Sequence, residues 1–298
     1  MKSCWTLQDI PDLTGKVALV TGGNRGLGYK SALELARAGC RVFIGCRDLD
    51  AGHTARQRIV RELPAANIEV LQLDLADVAS IAHAAAQLIE RIESLDLLLN
   101  NAGLVNLEHL THTPQGEEMH FAVNHLGHFA LTGLIMPLLC ASRGARVVTL
   151  SSGGYKAGVI DFDDIQWRRR SYHRLKAYGD SKLANVLFCL ELQRRCDSAG
   201  VELLSCAAHP GLTATERQQS IGVGGWLSRV MATPVERGCL PQLRAATDPM
   251  VEPGSYFGPR FLLWGAPVAQ SLNAMARDVQ LAEQLWDYSE SVTGVRFF

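Results

Sequence analysis

Tyr178 and Lys182, four positions apart in Tyr178-Gly-Asp-Ser-Lys182, are the side chains whose types and spacing best suit chemistry. On a helix the i,i+4 spacing sets both on one face. A phenol titrates near ~10, so acid/base work near pH 7 requires a fall of about 3, worth roughly 4 kcal/mol. An adjacent ammonium stabilises the phenolate and acts in that direction. Ser152, just past the apolar run Arg146-Val-Val-Thr-Leu150, is placed to hydrogen-bond a substrate carbonyl oxygen. Tyr172 and Lys176 share the spacing, but they follow Trp167-Arg-Arg-Arg170, a polar stretch that does not read as a packed helix interior. Tyr178 instead opens the apolar helix Leu183-Ala-Asn-Val-Leu-Phe-Cys-Leu190, which can hold a rigid pair.

A second constellation binds rather than reacts. Thr21-Gly22-Gly23-Asn24-Arg25-Gly26-Leu27-Gly28 lies between a β-branched run, Lys16 to Thr21, and a helical pattern, Leu27 to Ala38. Glycines there allow a tight turn and close approach of backbone to a pyrophosphate, and the helix N-terminus supplies free N–H groups. NAD sites usually hold a carboxylate at the end of the next strand. Here that place, 18 residues past Gly28, is Cys46, followed by Arg47. Arg25 and Arg47 are suited to clamp a ribose 2′-phosphate, so NADP (as NADPH) is favoured over NAD. Asp48 reads as the cap of the following helix. Asp74 and Leu75 are placed to receive an adenine, with a helix-capping aspartate as the equal alternative. Asn100-Asn101-Ala102-Gly103 puts small polar residues at the end of a strand, where a ligand of a doubly wound sheet lies.

These residues need a scaffold. Strands read at 16–21, 41–46, 68–73, 95–100, 146–150 and 201–206 alternate with helices at 27–38, 50–63, 78–93, 115–140 and 175–199. The strands are near-continuous apolar runs, as in a parallel sheet covered on both faces. The expected fold is α/β, one doubly wound Rossmann domain over 1–298 with about seven mostly parallel strands. Residues 153–177 read as an insertion, best taken as a solvated lobe and otherwise as a docking or substrate-rim surface. Residues 212–233, with Trp226, read as a substrate segment. A helix near 235–246, a strand near Ser255-Tyr-Phe257 and a helical tail over 272–290 complete the chain.

Composition excludes several classes. With 47% hydrophobic and 20% charged residues among 298, the chain is not disordered. Its 29 basic and 30 acidic side chains leave a net charge of −1, which argues against bulk attraction to nucleic acid or anionic membrane. Eight cysteines without a CxxC spacing read as reduced thiols of a cytoplasmic protein. No run reaches the roughly 18 apolar residues of a transmembrane helix, and Met1 to Thr14 resembles neither signal peptide nor anchor. His109, His112, His120, His125 and His128 form no HExxH and lack a completing ligand, so no metal is expected. The five tryptophans are scattered and make no stacking platform for bases.

Taken together, TGGNRGLG, NNAG, Asn124 in VNHLGHF, Ser151-Ser152, YGDSK and His209-Pro210-Gly211 resemble the short-chain dehydrogenase/reductase family over residues 15 to about 215. The variants are similar to the branch holding retinol dehydrogenases, WW-domain oxidoreductases and protochlorophyllide reductases. The resemblance implies that Tyr178 is the general acid/base and that Lys182 lowers its pKa and holds the nicotinamide ribose. It implies that Ser152, rather than Ser151, orients the carbonyl, and that Asn124 positions a water joined to Lys182. Pro210, Gly211 and Thr213 would border the nicotinamide carboxamide. Ser152 and Tyr178 are 26 residues apart, about twice the family's simpler spacing, and the extra length is the 153–177 insertion. Several membrane-bound retinol dehydrogenases carry an N-terminal membrane segment, so its lack here points away from a retinoid. The expected function is NADPH-dependent interconversion of an apolar carbonyl and its alcohol. The alternatives are a nucleotide-binding interaction protein working through 153–177, or reduction of a C=C bond. The long helices near 115–140 and 175–199 are where the family often pairs into homodimers.

Overall fold

The computed structural model describes residues 4–211 and 234–297. Thr213, Trp226 and the rest of the 212–233 segment lie outside the described residues. The strands are β1 (Val17–Thr21), β2 (Arg41–Cys46), β3 (Ile68–Gln72), β4 (Leu97–Asn100), β5 (Ala145–Leu150), β6 (Leu203–Ala208), β7 (Tyr256–Pro259) and β8 (Pro267–Ala269). They form one sheet in the order β3-β2-β1-β4-β5-β6-β7-β8. Every pairing is parallel except β7 with β8. The short, proline-led β8 is the strand that apolar-run reading misses, which makes the sheet eight-stranded rather than seven.

Alternation builds the layers. Ala18 and Val20 pack on one face of the sheet and Leu19 on the other, and all three are fully buried. Leu97 and Leu99 against Leu98, and Val148 against Val147, repeat the pattern. At roughly 1.5–3 kcal/mol per buried aliphatic side chain, this two-faced burial is what makes the run a central strand. The covering helices include α1 (Gly26–Arg37), α2 (Leu49–Glu62) and α3 (Val78–Arg91).

The stretch expected as one helix over 115–140 is divided. It runs as α4 (Met119–Phe121), a π-helical turn (Ala122–Leu126), α5 (Gly127–Leu134) and α6 (Met136–Ala141). The break before α6 falls at Ile135, and Pro137 stands in the first turn that follows, where its missing N–H costs nothing. A second division separates α8 (Val235–Gly238) from α9 (Leu240–Thr247), again with a proline, Pro241, in the new first turn. Between these pairs, α7 (Arg174–Ala199) is unbroken, and α10 (Val279–Thr293) closes the described chain.

The insertion is not a solvated lobe. Tyr155, Ile160 and Ile165 are buried and join α7 and α10 in a third apolar cluster, and Trp167 is buried beside Arg170. The Trp167-Arg-Arg-Arg170 charges are reconciled with that burial by Asp164, whose carboxylate accepts the backbone N–H groups of all three arginines. Among the described residues no helix is long and apolar enough to cross a membrane.

Candidate active site

Parallel register brings the strand ends to one edge. Val20 pairs with Leu99, Asn100 with Thr149, Leu150 with Ala208 and Ala208 with Phe257. The order reverses between β1 and β4, and ligands of such sheets bind beyond the carboxyl ends at that point. The glycine turn sits there. Gly22 and Gly26 take φ of 65° and 55°, the left-handed region that favours glycine. A Cβ on Gly28 would strike the Gly22 carbonyl oxygen and lie 2.5 Å from Asn101 Nδ2. That amide donates to Thr21 O at 2.7 Å, so turn and NNAG segment are one packed unit.

The turn fits a dinucleotide. The first turn of α1 has neither a side-chain cap nor an acidic residue, which leaves its N–H groups for a phosphate. Asn24 and Leu27 are half-buried and Arg25 is exposed. At the end of β2, Cys46 is buried and Arg47 exposed. The Asp48 carboxylate accepts from Ala51 N at 3.0 Å, so it is the α2 cap expected of it. Asp74 does not cap α3. It accepts from Ala76 N two residues on, and Asp77 caps the helix instead. Leu75 is buried, and its carbonyl lies so close to Gly127 that a Cβ there would clash.

Two residues at this turn escape sequence reading. His128, fully buried, places Nδ1 2.9 Å from Asn124 O and Nε2 2.9 Å from Thr21 Oγ1. A carbonyl only accepts, so Nδ1 carries the proton and Nε2 accepts from the Thr21 hydroxyl. Thr21 Oγ1 in turn accepts from Asn101 N and Ala102 N, each at 2.9 Å. Burial pushes His128 down to about 4, which keeps it neutral for this role. Gln242, from α9, donates to Ser31 Oγ at 2.5 Å and Asn101 Oδ1 at 3.3 Å. No local pattern flags it, because its partners are over 140 positions away.

Tyr178 and Lys182 lie on α7 as the spacing predicts. Lys182 Nζ is 5.8 Å from the Tyr178 ring centroid and donates to Leu150 O at 2.9 Å. Asn185 donates to the same carbonyl. Ser151 donates to Lys182 O at 2.8 Å and so is spent on holding the helix. Ser152 is half-buried and hydrogen-bonded to Tyr178. The Asn124 carboxamide accepts from Leu104 N at 2.6 Å and donates to Leu104 O and Ser181 Oγ. Ser181 Oγ donates to Tyr178 O at 2.7 Å. A Cβ on Gly103 would lie 3.1 Å from Asn124 Oδ1 and 3.5 Å from Lys182 Nζ, so these three residues converge. Pro210 and Gly211 follow β6 at the same edge, with Gly211 against the Leu263 carbonyl. Tyr172 is separate from this group, and its hydroxyl donates to Leu107 O.

The electrostatics differ from the spacing argument. Burial raises the Tyr178 phenol, and the Ser152 hydrogen bond only partly opposes it. Burial also pushes Lys182 down to about 7. Both changes have one cause, the cost of a charge in a low-dielectric interior, and that cost exceeds the help the ammonium gives its neighbour. A stability consequence follows. An unfolded lysine titrates near ~10.4, so between about pH 7 and that value the unfolded chain binds the extra proton and stability rises with pH. Lys182→Met should melt higher than the parent at pH 7 and lose that rise. If the variant's melting profile over pH 7–10 matched the parent's, folding would not lower the Lys182 pKa and the lysine would keep its charge in the fold.

Among the described residues no group of three His, Cys, Asp or Glu is arranged to hold a metal ion. All eight cysteines are free thiols, and burial raises seven of them, from Cys40 to Cys239.

Known proteins resemble this chain in sequence and fold. The short chain dehydrogenase family model matches residues 16–223. Retinol dehydrogenase 13 of Homo sapiens is 39% identical over 294 residues, 95% of this chain and 86% of its own length. A solved protein structure from Mycobacterium Paratuberculosis is 36% identical with a TM-score of 0.85, and the match covers 99% of this chain and 100% of that one. The Pseudomonas aeruginosa RhlG/NADP active-site complex is 25% identical with a TM-score of 0.66 over 83% of this chain and 95% of that one. A glycine turn locked to an Asn-Asn-Ala-Gly strand end, a tyrosine–lysine pair on the long helix and this likeness over nearly the whole chain agree: the protein belongs to the short-chain dehydrogenase/reductase family, on the branch that includes the retinol dehydrogenases.

Proposed function

We propose that the protein interconverts an apolar aldehyde or ketone and its alcohol with NADP as cofactor. The observation that carries the reading is the convergence of Tyr178, Ser152, Lys182 and Asn124 beside the glycine turn. The glycine turn with Arg25 and Arg47 would hold the dinucleotide, whose nicotinamide would supply hydride chemistry at the carbonyl carbon when bound. The Tyr178 hydroxyl gives the carbonyl oxygen its proton, and the Ser152 hydroxyl holds that oxygen while negative charge builds on it. Lys182, titrating at about 7, accepts or returns a proton near working pH and is fixed by Leu150 O. Asn124 fixes Leu104 on one side and Ser181 on the other, which sets the backbone on both sides of the site.

The preference for NADP rests on the second strand. Cys46 is neutral, Asp48 is spent on its cap, and Arg25 and Arg47 are exposed. The NADP in the related RhlG complex supports a nicotinamide cofactor. The retinol dehydrogenase relatives support a lipophilic alcohol or aldehyde substrate. Free thiols are consistent with the reducing cytoplasm.

A panel of aldehydes and ketones, followed by NADPH absorbance, tests the activity. Oxidation of NADPH with at least one apolar carbonyl is expected, and binding without turnover across the panel would remove the reading. Arg47→Ala should raise the NADPH KM by roughly tenfold, the worth of one charge-assisted contact of about 1.5 kcal/mol, and leave the NADH KM alone. Equal changes for both cofactors would exclude Arg47 from 2′-phosphate recognition.

A further inference from the structure

Residues 104–107 run on from Gly103, beside Lys182, to Leu107, which meets the His120 ring that packs on Tyr178, and all four are half-buried. The strap bends at Asn106, whose φ of 61° is left-handed, so it needs external ties to keep one course. Its inner end is held by Asn124, which grips both backbone groups of Leu104. Its outer end is held in the same way by two side chains that the chemistry leaves unused. Leu107 N donates to His120 Nε2 at 3.4 Å, and Leu107 O accepts from the Tyr172 hydroxyl at 3.2 Å. His120 is fully buried, with Nδ1 2.9 Å from a Glu118 carboxylate that is itself buried. That bond fixes the tautomer and leaves Nε2 free to accept. The His120 ring also meets the Tyr178 ring edge-on, with centroids 6.0 Å apart.

Tyr172 comes from the insertion, which is firmly seated. Its ring packs edge-on against buried Trp167, Arg170 lies 3.8 Å from the Trp167 ring, and Arg170 pairs with Asp180 on α7. Burial pushes the Tyr172 phenol up to about 12, so it remains a donor at any working pH.

We propose that His120 and Tyr172 are positioning residues that clamp the 104–107 strap as one wall of the substrate site, so that the insertion sets which carbonyl compounds reach Tyr178. The wall's effect on substrate choice rests on the carbonyl reductase reading above, whereas the clamp itself does not. The insertion then has a use that its charges conceal. It is a brace for the substrate side, tied through Arg170 to the helix that carries Tyr178.

The test compares the full-length parent with Tyr172→Phe, which deletes one oxygen and keeps the ring. Two quantities are read: amide deuterium exchange of the 104–107 segment, and kcat/KM for cyclohexanecarbaldehyde relative to propanal. Exchange is expected to accelerate at least about tenfold, the loss of one hydrogen bond worth ~1.4 kcal/mol, with exchange in α1 unchanged. The substrate ratio is expected to move by at least about threefold in the same variant. His120→Ala should show both changes, and His120→Gln, which keeps a donor and an acceptor, should reverse them. Unchanged exchange in Tyr172→Phe overturns the clamp even if the parent turns over neither aldehyde. Faster exchange with an unchanged ratio, in a parent that reduces both, overturns the wall. A parent inert on both with faster exchange supports the clamp and counts against the carbonyl reading instead.

Discussion

Tyr178→Phe should lower kcat by about 10²–10⁴-fold, the usual worth of a positioned acid or base, while the protein still binds NADPH. Phenylalanine keeps the half-buried ring and its edge-on contact with His120, so the fold and the strap beside it are preserved. Only the hydroxyl goes, and with it the hydrogen bond to Ser152. Stopped turnover with an unchanged NADPH fluorescence titration is therefore the signature of lost proton transfer rather than lost structure. Retained turnover would mean that another group donates the proton.

Gly28→Ala acts on the opposite partner of the reaction. Its methyl group would meet the Gly22 carbonyl and come within 2.5 Å of Asn101 Nδ2. Both neighbours are constrained, Gly22 by its positive φ and Asn101 by its bonds to Thr21. The turn must open, so a loss of about 1–3 kcal/mol in stability is expected, together with at least tenfold weaker NADPH binding. Thermal melting and a fluorescence titration measure the two. Gly153→Ala is the control for the size effect, because a Cβ there meets nothing within 4 Å. If Gly28→Ala bound NADPH as the parent does, phosphate contact would not depend on the tight turn.

What could be read in advance was local and periodic. The alternation of Ala18, Leu19 and Val20 announces a strand covered on two faces, and the spacing of Tyr178 and Lys182 survives because α7 is unbroken through both. The capping role of Asp48 follows from a helical pattern that starts one residue later. What escaped is held by distant partners. The burial of Trp167 depends on Asp164 gathering three backbone N–H groups and on Arg170 lying over the indole, neither of which a charge count reveals. The π-helical turn at Asn124 has no composition signal, and Gln242 reaches the glycine turn only through the fold. The tyrosine's raised pKa belongs to this class too, because spacing records the neighbouring lysine but not the burial that both share.

The last strand has an implication for self-association. β8 is three residues long, begins with Pro267 and runs antiparallel at the margin of the sheet. Proline offers no N–H, and so few residues present too short a ladder for a second chain to extend. That margin is blunted against continuation of the sheet from one copy into another. A sheet continued from one copy into another would then have to use the far margin at β3.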